Sequence, residues 1–180
     1  MFPNRRSAVI SIAVIVFLLV FAVVAIDQNN VSRLKKYRRE ANVYLDKVMG
    51  SMDERFEYSI TLVGLLDDRS LAEPFSSVLG SYEKELPPSA LSPLYVTLDK
   101  ELTLLQKKVF THPEYPLYAA YFEKIYEAEQ EMAPHLDRYN EKALFYNIQI
   151  GGFLAAIAAK RLEMQELELF SVAPAMKGRP

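Results

Sequence analysis

The twenty residues from Ser7 to Ile26, SAVISIAVIVFLLVFAVVAI, carry no charge and only two hydroxyls, Ser7 and Ser11. At ~1.5 Å of rise per residue, a helix of this length spans roughly 30 Å, the thickness of a bilayer's hydrocarbon core. A helix packed against a soluble core would show a polar stripe, and none is visible. The run predicts a transmembrane helix over 7–26 behind a short tail at 1–6. A cleavable signal peptide is the competing reading. Asn4, Arg5 and Arg6 suit its polar, basic start, and Val23-Val24-Ala25 its cleavage site. The run is longer than the ~7–15 apolar residues such a peptide uses, so an uncleaved anchor is expected.

Orientation stays open. Arg5 and Arg6 precede the run, and Arg33, Lys35, Lys36, Arg38 and Arg39 follow it after Asp27. Basic residues near a membrane edge favour the cytoplasmic side, and they stand at both ends here. The chain has no cysteine, which excludes disulfides and thiolate metal sites. A net charge of −2 gives no reason to expect nucleic acid. The basic stretch reads as the solvated face of a juxtamembrane helix.

Beyond the anchor the periodicity is helical throughout. Leu34, Ala41, Leu45, Val48, Met52, Phe56, Val63 and Leu66 recur in steps of three, four and seven, which predicts one long helix over 31–66, continuing from the anchor. Pro74, Gly80, Pro87, Pro88 and Pro93 break the pattern. A short helix is expected after Pro74, with Ser70 and Glu73 at capping-box spacing, then a connection over 81–93. Leu91, Tyr95, Leu98, Leu102, Leu105 and Val109 form the next stripe, and the turn at His112–Pro116 returns the chain antiparallel. A third stripe runs through Tyr118, Phe122, Ile125, Met132, Leu136, Tyr139, Ala143, Tyr146 and Ile150, interrupted by Glu129 and by Pro134, where a kink is expected. Gly151-Gly152 marks a break, and a last helix is expected from Phe153 to about Phe170. The fold class that follows is all-α: an N-terminal transmembrane helix, then an elongated antiparallel three- to four-helix bundle over 27–170, with a flexible tail at 171–180.

Residues that could carry chemistry are sparse. His112 and His135 sit in no metal-ligand motif, and there is no phosphate loop, nucleophile elbow or Glu-x-x-His pair. No enzyme activity, cofactor or metal is expected. Glu123, Glu127, Glu129 and Glu131 read as a solvated helix face. One feature stands apart: the doublets Tyr139-Asn140 and Tyr146-Asn147, seven residues and hence two helical turns apart. Buried tyrosines need partners for their hydroxyls, and asparagine amides on a neighbouring helix could supply them. The functional alternative is a peptide or lipid contact surface. A second alternative is an apolar ligand pocket near Pro134, lined by Tyr118, Tyr121, Tyr126, Tyr139 and Tyr146, which would make the chain a sensor or carrier.

The segment YNEKALFYNIQIGGFLAAIAAKRLEMQELELF resembles the C-terminal signature of the LemA family of bacterial membrane proteins, with Tyr139, Asn140, Tyr146, Asn147, Phe153, Ala159 and Phe170 in the signature places. Tyr115-Pro116 resembles the family's Tyr-Pro turn, and Arg55, Glu57, Leu62 and Val63 its first-helix motif. Leu154 stands where the family has Pro, and Ile60 and Thr61 where it has Pro and Asn, as in a divergent member. The resemblance implies a single anchor in the bacterial cytoplasmic membrane, an extended helical domain, and a non-enzymatic adaptor or scaffold role in the cell envelope. It also implies membrane or envelope proteins as partners, by analogy including a membrane protease system. Homo-oligomers through the anchor or juxtamembrane helix fit as well, although no GxxxG motif is present.

Overall fold

The structure, a computed structural model, describes residues 5–172. It is all-helical, and no strand occurs among the described residues. The elements are α1 (Arg5–Gly64), α2 (Arg69–Ala72), a 3-10 turn (Glu73–Phe75), α3 (Ser76–Gly80), α4 (Pro88–Val109), α5 (Tyr115–Ile150) and α6 (Phe153–Arg161).

The dominant element is α1. It runs 60 residues without a break, so the apolar run and the first core helix are one rod. No described residue covers its first part. Val9 to Ile26 face outward on every side of the helix, and this segment is long and apolar enough to cross a membrane. Burial begins at Leu34 and continues through Ala41, Val48, Met52, Phe56 and Leu62.

Helix α5 lies antiparallel along the buried part of α1. Tyr37 meets Phe145, Glu40 meets Lys142, Tyr44 meets His135, Arg55 meets Glu129 and Tyr58 meets Lys124, so one number rises as the other falls. Leu34 packs with Tyr146 and Ile150, which brings the end of α5 back close to the apolar run. Pro134 lies inside α5, which stays a single helix through it. Helix α4 completes the upper core with Leu91, Tyr95, Leu98, Leu102, Leu105 and Val109 on its inward stripe.

Three local expectations are corrected. The capping box at Ser70 and Glu73 does not form. Asp68 caps α2 instead, accepting from the Ser70 amide at 2.8 Å, and hydrogen bonding from the Ser70 side chain and then its amide lowers the Asp68 pKa. Pro88 is the first residue of α4, a position where a missing N–H costs nothing, so the connection is shorter than 81–93. The last helix does not reach Phe170. It stops at Arg161 in a Schellman arrangement: Met164 N–H donates to Ala159 C=O at 2.9 Å, Glu163 N–H to Lys160 C=O at 3.4 Å, and Glu163 takes the left-handed conformation at φ 52°. That position normally calls for glycine. With Glu163 there, the sequence carries no stop signal.

Candidate functional site

After α6 the chain turns back and runs extended along α5, antiparallel to it, as a strap over residues 163–172. The two Tyr-Asn doublets hold it. The Asn147 side chain donates to Leu167 C=O and accepts from Leu167 N–H, both at 2.8 Å. Asn140 does the same with Phe170, both at 2.9 Å. An extended residue points its own N–H and C=O to one side, and a carboxamide offers one donor and one acceptor to match. Tyr146 donates to Gln165 C=O at 3.2 Å and Tyr139 to Glu168 C=O at 2.6 Å. Each step of seven on the helix thus answers a step of three on the strap. Seven helical residues rise roughly 10.5 Å, and three extended residues cover about 9–10 Å. The doublet spacing is a register match between a helix and an extended chain.

The sequence reading of these residues therefore holds in kind and changes in detail. The tyrosine hydroxyls do find partners, but in strap carbonyls. The asparagines serve the strap backbone too, and do not serve the tyrosines. Burial, reinforced by the charge of Glu168, pushes the Tyr139 hydroxyl up to about 12. Phe170 is buried edge-on against Tyr139, with ring centroids 5.5 Å apart. Phe153 is not part of this clamp and is 83% exposed. The strap also serves α4. Glu168 accepts from the Ser89 amide at 3.2 Å, near the start of a helix whose cap residue, Pro87, has no side-chain acceptor to offer. The Ser89 hydrogen bonds hold the Glu168 carboxyl below its ordinary range. Ser171 N–H donates to Ser92 Oγ at 3.1 Å, so the described start of the 171–180 tail is tied down; residues 173–180 lie outside the described residues.

A second arrangement was missed in the sequence. Glu129 is not on a solvated face. It is 4% exposed, accepts from the Tyr95 hydroxyl at 2.6 Å, and lies 3.7 Å from Arg55 Nη2. Arg55 is 1% exposed, donates from Nη2 to Asp99 at 3.1 Å, and carries its guanidinium 4.3 Å over the Tyr95 ring. Burial and the Glu129 hydrogen bond raise the Tyr95 hydroxyl far above its ordinary value, against the opposing pull of Arg55. Arg55 Nε and Nη1 are buried with no hydrogen-bond partner among the described residues. Unpartnered buried donors of this kind are rare and costly. Arg55 also lines a cleft of about 330 Å³ between α4 and α5, walled by Leu102, Phe110, Tyr115, Phe122 and Tyr126. Of the five tyrosines expected around a pocket near Pro134, only Tyr126 lines this cleft; Tyr118, Tyr139 and Tyr146 are core residues. The signal was present, since Arg55 and Glu129 are charges at stripe positions of their helices.

His112 and His135 are far apart on the fold, and no cluster of three or more metal-ligating side chains occurs among the described residues. No family model, no curated protein and no solved structure matches the chain.

Two outcomes follow from these contacts. Asn140→Ala and Asn147→Ala should each cost about 1–3 kcal/mol, because truncation leaves strap N–H and C=O groups unpaired. The double variant should release the strap, seen as faster cleavage by a Glu-specific protease after Glu163, Glu166 and Glu168 while α1 and α5 stay intact. Arg55→Met should cost about 3–5 kcal/mol by stranding Glu129, and adding Glu129→Leu should recover most of it. Thermal unfolding followed by circular dichroism tests this; a double variant no more stable than Arg55→Met alone would refute the ion-pair account.

Proposed function

We propose that the protein is a membrane-anchored, non-enzymatic helical adaptor whose bundle holds a docking cleft at a fixed height above the bilayer. Arg55 carries the proposal. Its guanidinium group belongs to the lining of a cleft with aromatic walls, and two of its nitrogens lack an acceptor among the described residues. One guanidinium shares this space with the carboxylates of Asp99 and Glu129, with Glu123 lining the cleft as well. That balance disfavours an anion. An uncharged acceptor on an apolar body, such as a peptide carbonyl beside an aliphatic or aromatic side chain, meets both demands. Because α1 is unbroken, the 29 residues from Ile26 to Arg55 set the cleft roughly 43 Å beyond the apolar run. Confinement by an anchor raises the effective concentration for partners in the same membrane.

The resemblance of the C-terminal third to the LemA pattern supports the same reading and gives it a setting, the bacterial cell envelope with membrane proteins as partners, among them a protease system. The strap supplies a physical reason for that pattern of tyrosines and asparagines. A second reading, a sensor or carrier for a small apolar ligand, draws on the cleft volume, which lies within the range of small-molecule sites.

A photocrosslinking residue at Ala119, on the cleft wall, should capture a discrete membrane protein in intact membranes, and the same residue at the outward-facing Lys47 should not. Arg55→Lys should abolish the capture, since the single ammonium cannot reproduce the guanidinium fork. No adduct from Ala119, with a small molecule retained on the purified chain in native mass spectrometry, would favour the carrier. Neither adduct nor retained molecule would defeat both.

A further inference from the structure

Helix α6 exposes apolar side chains without being part of the core. Phe153, Leu154 and Ile157 are 83%, 50% and 58% exposed, while Ala158 and Ala159 on the other side are buried. At 100° per residue, Phe153 and Ile157 lie on one line, Leu154 and Arg161 flank it on one side and Lys160 on the other. The result is a short apolar ridge edged with two cations.

A bend and two contacts place that ridge. The chain bends by 96° between α5 and α6, and α5 follows α1, so α6 lies across the direction of α1. Ala159 packs with Leu34, roughly 12 Å beyond Ile26 on the unbroken α1, and with Tyr146 and Ile150 of α5, so the packed face looks away from the run. Arg161 reaches Asp27 at 2.7 Å, the first residue after Ile26, which sets α6 level with the end of the apolar segment. The exposed ridge, opposite the packed face, therefore looks along α1 towards its apolar end. The turn is close at Gly152, where a Cβ would stand 3.3 Å from the Gln149 carbonyl.

We infer that α6 is an interfacial helix that rests on the lipid surface, with Phe153, Leu154 and Ile157 at the boundary between headgroups and acyl chains and Lys160 at the phosphates. The inference rests on the reading of 7–26 as a membrane anchor. A helix lying in the interface needs an apolar face with basic residues beside it, and α6 supplies both at the height where the apolar run ends. The bilayer is chosen over a protein partner because the ridge faces the plane in which that run would enter lipid. A second point of contact would keep α1 from tilting and hold the cleft at its height.

The cysteine-free chain allows a direct test. Full-length protein carrying Val16→Cys, Ile157→Cys or Ser81→Cys, each labelled with an environment-sensitive fluorophore, is reconstituted in nanodiscs containing anionic lipid. Quenching is read with lipids spin-labelled near the headgroup or deep in the acyl chain. The expected pattern is deep quenching at Val16, shallow quenching at Ile157 and none at Ser81. Deep quenching at Val16 with none at Ile157 overturns the inference and leaves the anchor standing; a blue-shifted but unquenched Ile157 label would mean that protein, such as a second copy, covers α6. No quenching at Val16 removes the anchor and the inference with it.

Discussion

Everything in this chain is indexed to the continuity of α1. A single helix that begins in the apolar run and ends at Gly64 has one axis and one phase, so each later element can be placed by the α1 residue it touches. The ion pair of Arg161 with Asp27 lies at the foot, Lys142 with Glu40 above it, and Glu129 with Arg55 higher still. A helix this long gains little from propensity alone, since packing of an apolar face supplies most helical stability in proteins. Over its upper part α5 provides that face. Over its first part no described residue does, and a lipid environment is what would make such a surface tolerable.

Polar contacts then specify what apolar packing leaves loose. A stripe of Leu, Met and Ala fixes which sides of α1 and α5 meet, but a buried polar residue specifies register more sharply than apolar packing does. The Arg55, Asp99, Glu129 and Tyr95 cluster ties three helices at one level, because any shift would strand a buried charge. The strap works by a related logic at the edge of the core. Its backbone has no strand to pair with, so side chains of α5 stand in for one, and Glu168 in turn caps α4. Releasing the strap therefore loosens α4 as well as exposing the Tyr139 and Tyr146 hydroxyls.

Much of this was legible in the sequence. The apolar run, the stripes of the long helices, the proline-bound turn before α5 and the Gly151-Gly152 break all rest on local rules of spacing and backbone chemistry. What escaped did so for a physical reason in each case. The end of α6 is set by Glu163 in a left-handed conformation that its side chain does not advertise. The strap is extended because α5 pairs with it, and nothing within LEMQELELF itself opposes helix. Glu129 looked like one more carboxylate in an acidic stretch, because burial of a charge depends on a cation contributed by α1 seventy-four positions earlier. The role of the two doublets became clear only when the strap lay beside them, since a step of three in one element and seven in another cannot be compared before both are known.

The account stands on the apolar run and the first core helix being one rigid rod, and a distance across the junction tests it most directly. Spin labels at Phe17 and Lys47 of the full chain in nanodiscs, read by pulsed dipolar spectroscopy, bracket the passage from the apolar run to the core. An unbroken helix predicts a single narrow distribution near ~45 Å, thirty residues at the α-helical rise. A broad distribution, or one centred well below that distance, would mean that the chain hinges after Ile26, and the fixed height of the cleft would fall with it.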